Sequence, residues 1–155
     1  MSMASEMYQT VVLAHSQSPR GEGQNAEATH QADGYNPICG DRVTMMAEVE
    51  GNGVKKISFN AQSCALCRAS ASVLVVTLET MEISLAKTKA KEFTDMILGS
   101  GPELGGDAGA FAAIKNYPAR AKCVLLPWRT FVSALEQPLE GLSKNHAVVS
   151  TELQQ

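Results

Sequence analysis

The chain has 155 residues, of which 45% are hydrophobic and 19% charged. That composition is ordinary for a globular protein, and the length suits one domain with a real core. A formal net charge of −3 leaves no basic excess to neutralise phosphates, so nucleic acid is not expected as a partner.

The opening residues, MSMASEMYQTVVLAHSQSPR, contain no basic segment followed by a long apolar one, so no secretory signal is expected. No apolar run, Val73–Val76 included, approaches the ~20 residues of a membrane span. The expected location is the cytosol or an equivalent reducing compartment. There Cys39, Cys64, Cys67 and Cys123 read as metal ligands or reactive thiols in preference to disulfides.

Ser5 to Ser16 has helical spacing, with Tyr8, Val11, Val12 and His15 on one side and Ser18-Pro19 as the stop. A single His on such a face is expected to be packed and hydrogen-bonded. Arg20 to Gly34 is polar and aperiodic, and reads as an ordered loop or a mobile arm. Arg42 to Glu50 alternates, placing Val43, Met45, Ala47 and Val49 on one face of a half-buried strand. Gly51-Asn52-Gly53 supplies a hairpin turn, with Asn-Gly the favoured dipeptide. Val54 to Asn60 is the return strand, with Ile57 and Phe59 inward.

Gln62 to Met81 has the length of a helix, with Ser63 as the expected N-cap, although Val73, Val75 and Val76 keep a strand open on local grounds. Lys87 to Leu98 is a further helix, with Phe93, Met96 and Ile97 inward and Gly99 as the stop. Lys87, Lys89 and Lys91 read as its solvated face. Gly101 to Gly109 is loop and Ala110 to Ile114 a short helical turn. A last helix is expected over Leu126 to Glu136, with Pro127 in its first turn and Trp128, Phe131, Val132 and Leu135 on it. Beyond Pro138 the chain is polar, and a frayed tail is expected. The order points to an α+β fold, a small antiparallel sheet covered by helices on one face.

Three cysteines occupy positions that favour a thiolate. Cys39 follows Pro37 and precedes Gly40 on a tight bend, with Asp41 beside it. Cys64 falls at a helix start, where free N–H groups and the helix dipole lower a thiol pKa. Cys123 is expected just before the last helix, flanked by the cations Arg120 and Lys122. Three sulfurs and the Asp41 carboxylate could hold zinc or anchor an iron–sulfur cluster. Inert buried thiols are the competing reading. Cys64 and Cys67 form a CxxC, which admits a redox dithiol, but no βαβ context surrounds it, and Cys67 reads as a small core residue.

The segments NPICGD, SCALCRASAS and NYPARAKC followed by LLPW resemble the NifU/IscU family of iron–sulfur cluster assembly proteins, and they occur in the family's order over about Met7 to Glu136. MYQTVVLAHSQSPR resembles its first helix, and KEFTDMI also has a counterpart. Lys122 stands where the IscU branch has His, and the interval from Cys64 to Cys123 is long. Both features place the chain nearer the SufU branch. The resemblance implies a SufE/NifU-like α+β domain over residues 1–138 and a polar tail over 139–155. It implies Cys39, Asp41, Cys64 and Cys123 as metal ligands, with zinc the usual occupant.

The activity it implies is that of a zinc-dependent sulfurtransferase accepting persulfide sulfur from a cysteine desulfurase; Cys39 is read as the acceptor, because its turn beside Gly40 can move more easily than a helix start. Downstream iron–sulfur scaffold or acceptor proteins are the other expected partners. An IscU-type scaffold building a [2Fe–2S] cluster is the alternative, and a zinc-stabilised interaction module without catalysis is a third reading. Cys67 and Pro127 depart from the family pattern.

Overall fold

The computed structural model describes residues 3–139 and 147–150. In chain order these form α1 (Met3–Gln17), β1 (His30–Asn36), β2 (Asp41–Glu50), β3 (Gly53–Gln62), α2 (Ala65–Leu78), α3 (Ile83–Ile97), a short α4 (Gly106–Gly109) running into a 3₁₀ helix (Ala110–Asn116), α5 (Pro118–Leu135) and β4 (Ala147–Ser150). The sheet order is β3-β2-β1-β4. The first three strands are antiparallel, and β4 runs parallel to β1. The architecture is the expected α+β. No helix among the described residues is long and apolar enough to cross a membrane.

The alternation in β2 holds as far as Ala47: Val43, Met45 and Ala47 are buried, with Ile57 and Phe59 of β3 beside them and α2 and α5 in the same core. The register then shifts between Glu48 and Val49, which is only partly buried, and Met46 on the other face is buried as well. The hairpin loop is Gly51-Asn52, one residue earlier than the Asn-Gly reading, because Gly53 already pairs with Glu50. Gly51 takes φ +63°, the left-handed conformation that this turn needs.

Two elements differ more. The polar stretch before Asn36 contains a strand, β1. Its inward residues are Ala32, Gly34 and Asn36, so no hydrophobic alternation announces it. They are small or polar because α5 lies directly on them: a Cβ at Gly34 would collide with Thr130 Oγ1 and Leu126. The preceding residues are an ordered loop against β3, with the Phe59 N–H donating to Gly21 O at 2.9 Å and the Gly23 N–H to Phe59 O at 2.8 Å.

The last helix begins at Pro118, eight residues before the expected start. Pro118 is the first-turn proline, whereas Pro127 lies inside the helix. An interior proline costs about 3 kcal/mol. Here it is offset by burial on both sides, from Val124, Leu125 and Leu126 to Trp128 and Phe131. Cys123 is therefore inside α5, not in a loop before it.

Smaller differences follow the same logic. Of the 62–81 stretch, Ala65–Leu78 is helix; Gln62 still belongs to β3, and after Leu78 no glycine marks the turn, so that Thr80 itself takes φ +73°. α3 starts at Ile83 instead of Lys87, anchored by the Ile83 N–H to Asn52 O of the hairpin at 2.8 Å. Of the expected frayed tail, the Leu139 N–H donates to Thr29 O at 2.9 Å and residues 147–150 form β4; residues 140–146 and 151–155 lie outside the described residues.

α2 and α5 are held in register by a polar tie in the core. Trp128 Nε1 donates to Ser70 Oγ at 3.0 Å, and the Ser70 hydroxyl donates to Val124 O at 2.6 Å. Trp128 also stacks on Phe93 of α3 at 3.9 Å, and Phe111 meets Phe93 and Tyr8 edge-on. Gly34→Ala is expected to lower stability by about 1–3 kcal/mol, the overpacking range. Urea denaturation checks this, and an unchanged midpoint would mean that α5 gives way freely.

Candidate metal centre

The β1–β2 connection is built to present Cys39. Asn36 closes β1 opposite Asp41, the first residue of β2. Between them the chain turns sharply. The Gly40 N–H donates to Asn36 O at 2.8 Å, the Ile38 N–H donates to Asn36 Oδ1 at 3.2 Å, and Gly40 takes φ +74°. Cys39 and Ile38 are left exposed at the apex, while Asp41 is only 2% exposed.

The other thiols arrive from the two helices that the Trp128–Ser70 tie holds together. Cys64 is the N-cap of α2, in place of Ser63, which sits one residue outside and donates to Cys64 O at 3.1 Å. The Cys64 N–H donates to Asp41 Oδ1 at 2.9 Å, and the Cys67 N–H reaches Cys64 Sγ at 3.4 Å. Cys123, fully buried in α5, places its sulfur 3.5 Å from that of Cys39. Donor atoms of Cys39, Asp41 and Cys123 lie within 4.8 Å of one another. Cys64 Sγ adjoins this group, 3.8 Å from Asp41 Oδ2.

Sharing of protons sets the thiol acidities. The Cys123 thiol hydrogen-bonds to Cys64, and with the Cys67 and Leu66 N–H groups this lowers Cys64 to about 6, against the opposing effects of burial and Asp41. Cys123 is pushed up by its bond to Cys64, by burial and by Cys39. The expected help from Arg120 and Lys122 does not dominate. Cys67 is pushed far up, by burial first and then by Asp41.

The donors suit a soft divalent ion. Tetrahedral zinc with Zn–S near 2.3 Å separates two sulfurs by about 3.8 Å, and the Cys39 and Cys123 sulfurs, 3.5 Å apart, lie close to that value. Zinc therefore fits Cys39, Asp41 and Cys123, with Cys64 next to them. Cys67 is fully buried within the hydrophobic core, as the sequence indicated.

The remaining candidates have local roles. His15 is buried, bonded to Ser72 Oγ at 2.6 Å and Asp107 Oδ2 at 2.7 Å, and so pins α1 to α2 and α4. Lys87, Lys89 and Lys91 pair with Glu136, Glu92 and Asp95 on the surface. Sequence reasoning missed two residues. Asn36, 1% exposed, points Nδ2 at Cys123 Sγ from 3.9 Å. Tyr8 has its hydroxyl pKa raised by burial, lowered by Arg120, and raised by Cys64 and Cys123. Tyr8 also lines a cleft of about 440 Å³ with Tyr117 and Arg120. The signal for Asn36 lay in the Asn-Pro step, where an Asn side chain commonly closes a turn. Tyr8 gave none.

Residues 7–124 match the family model of the NifU-like N-terminal domain. The chain belongs to this family. The zinc-dependent sulfurtransferase SufU of Bacillus subtilis is 30% identical over 79% of the chain and 85% of its own length. The iron–sulfur cluster assembly scaffold protein IscU of Thermotoga maritima is 31% identical over 84% of the chain and 94% of its own length. A crystal structure from Fervidobacterium islandicum AW-1, described as an iron–sulfur cluster assembly scaffold protein for the SUF system, superposes with a TM-score of 0.76 at 30% identity, covering 84% of this chain and 97% of that one. The NifU-like assignment accounts for the order of the three cysteine segments and for the strand–helix frame that brings them together.

In metal-free protein, Cys64 is expected to react with iodoacetamide at pH 7 as a thiolate, while Cys67 stays unmodified. Because the folded pKa of Cys64 is about 6, its rate should fall roughly tenfold from the plateau by pH 5, where most of the thiolate is protonated. Peptide mapping reads both, and equal labelling of Cys67 would contradict its placement.

Proposed function

We propose that this NifU-like protein accepts persulfide sulfur from a cysteine desulfurase for iron–sulfur cluster assembly. Cys39 is the acceptor, and Cys39, Asp41, Cys64 and Cys123 are the ligands of a zinc ion. The observation that carries this reading is the asymmetry within one cluster of thiols. Cys39 is exposed on a turn, its sulfur 3.5 Å from that of Cys123, which is buried in a helix.

The transfer is a thiol exchange. The Cys39 thiolate attacks the outer sulfur of the desulfurase's persulfide. A new S–S bond forms on Cys39, the old one breaks, and the desulfurase cysteine leaves as a thiolate. Zinc, when bound, would keep its sulfur ligands deprotonated at neutral pH. The chain's own residues do the rest. Asp41 holds the Cys64 N–H and with it the helix start. The turn closed by Gly40 lets Cys39 move without disturbing a helix, and exposed Ile38 beside it offers an apolar contact to a docking protein.

Lys122 in the place of the IscU-branch His, and the similarity to the Bacillus sulfurtransferase, support the acceptor reading. The comparable similarity to the Thermotoga scaffold supports the second reading, in which the same thiols build a [2Fe–2S] cluster as cargo.

Freshly purified protein is expected to carry about one zinc per chain. Stripping the zinc should lower stability by about 4 kcal/mol relative to protein in free zinc at a thousand times Kd. Metal analysis and calorimetry test this. Cys39→Ala should reduce uptake of labelled sulfur from a cysteine desulfurase to background while leaving the fold intact; uptake at the normal rate would refute the Cys39 assignment. Anaerobic reconstitution with iron and sulfide that yields a stable, stoichiometric chromophore would favour the scaffold.

A further inference from the structure

Asn36 is hydrogen-bonded to three residues around the site. Its main-chain oxygen accepts from the Gly40 N–H at 2.8 Å, and its side-chain oxygen accepts from the Ile38 N–H at 3.2 Å. Since an N–H must meet the oxygen of an amide, this second bond fixes which end of the side chain is which. The NH₂ group is thereby turned toward Cys123 Sγ, 3.9 Å away, in a site where Asn36 is 1% exposed. One buried amide thus braces the turn that carries Cys39 and donates to the sulfur that Cys39 touches.

A hydrogen bond donated to a thiolate stabilises its charge, and a stabilised thiolate is a weaker nucleophile. Groups bonded to a metal ligand also orient it and strengthen metal binding. We propose that Asn36 is a positioning residue that decides which thiol takes the sulfur. In the zinc-loaded protein its amide N–H keeps Cys123 as the retained, less nucleophilic thiolate, and its amide oxygen holds the turn that presents Cys39. The inference deepens the sulfur-acceptance reading and rests on it.

Asn36→Ser separates the two functions. The shorter hydroxyl can still accept from the Ile38 N–H, as Ser does in such turns, but does not reach Cys123. Asn36→Ala removes both bonds. In zinc-loaded, full-length Asn36→Ser, chelator competition should show zinc bound at least about tenfold more weakly. The ratio of Cys123 to Cys39 alkylation by iodoacetamide should rise about tenfold, with the melting temperature of the zinc-stripped variant equal to that of zinc-stripped wild type. With sulfur supplied by a persulfidated cysteine desulfurase, mapped label should likewise move from Cys39 toward Cys123. Wild-type zinc affinity together with an unchanged Cys123-to-Cys39 ratio in Asn36→Ser would overturn the proposal. So would a lower melting temperature with no change in the ratio, which would leave Asn36 only a turn former. If wild-type protein takes no sulfur from the desulfurase, the acceptor reading fails instead; zinc affinity and alkylation order still decide whether Asn36 ranks the thiols. Should Asn36→Ser not fold, Asn36→Thr gives the same readouts with the same acceptor and no donor in reach.

Discussion

The buried Asp41 carboxylate accepts the Cys64 N–H at 2.9 Å, and the geometry of the thiols depends on that bond. Asp41 opens β2, and Cys64 caps α2. A helix start carries free N–H groups that need partners, and a carboxylate is a strong one. The bond therefore serves the helix even before any ion is considered. It also sets where the Cys39 turn ends, because Asp41 pairs with Asn36 across the β1–β2 ladder. Moving Asp41 would displace two of the three converging segments at once.

The third segment is placed by packing. α5 lies against β1 so closely that only glycine fits at position 34, and its Trp128 is tied through Ser70 to α2. Cys123 is thus located by the sheet on one side and by α2 on the other. Pro127 adds a local effect: it has no N–H to offer the Cys123 carbonyl one turn earlier. The helix tolerates this because its apolar residues are buried on either side of the proline.

Much of this was legible in the residues, for identifiable reasons. The β2–β3 hairpin declares itself by alternation and a glycine turn, and α2 by its length and small residues. β1 did not, because its inward positions are Ala32, Gly34 and Asn36, chosen for close approach instead of hydrophobic burial. The start of α5 was hidden because Pro118 and Pro127 both offer a first-turn proline, and only tertiary burial decides between them. At the site, the four predicted side chains were visible from residue type and family pattern. The cap at Cys64 was not, since Ser63 is the better intrinsic N-cap. There the Asp41 carboxylate outweighed local propensity by engaging the Cys64 N–H.

The three thiols differ in what it costs to move them. Releasing Cys123 means disturbing α5, whose neighbouring residues Val124, Leu125 and Leu126 are at most 1% exposed. Releasing the Cys64 sulfur means uncapping α2 and leaving the Cys67 N–H without its partner, a loss of about 1–3 kcal/mol. Releasing Cys39 asks only for rotation within a surface turn whose glycine already takes a left-handed conformation. A cluster that held an ion and exposed one sulfur to an incoming partner would need this inequality. The fold supplies it by drawing one thiol from a hairpin apex and two from packed helices.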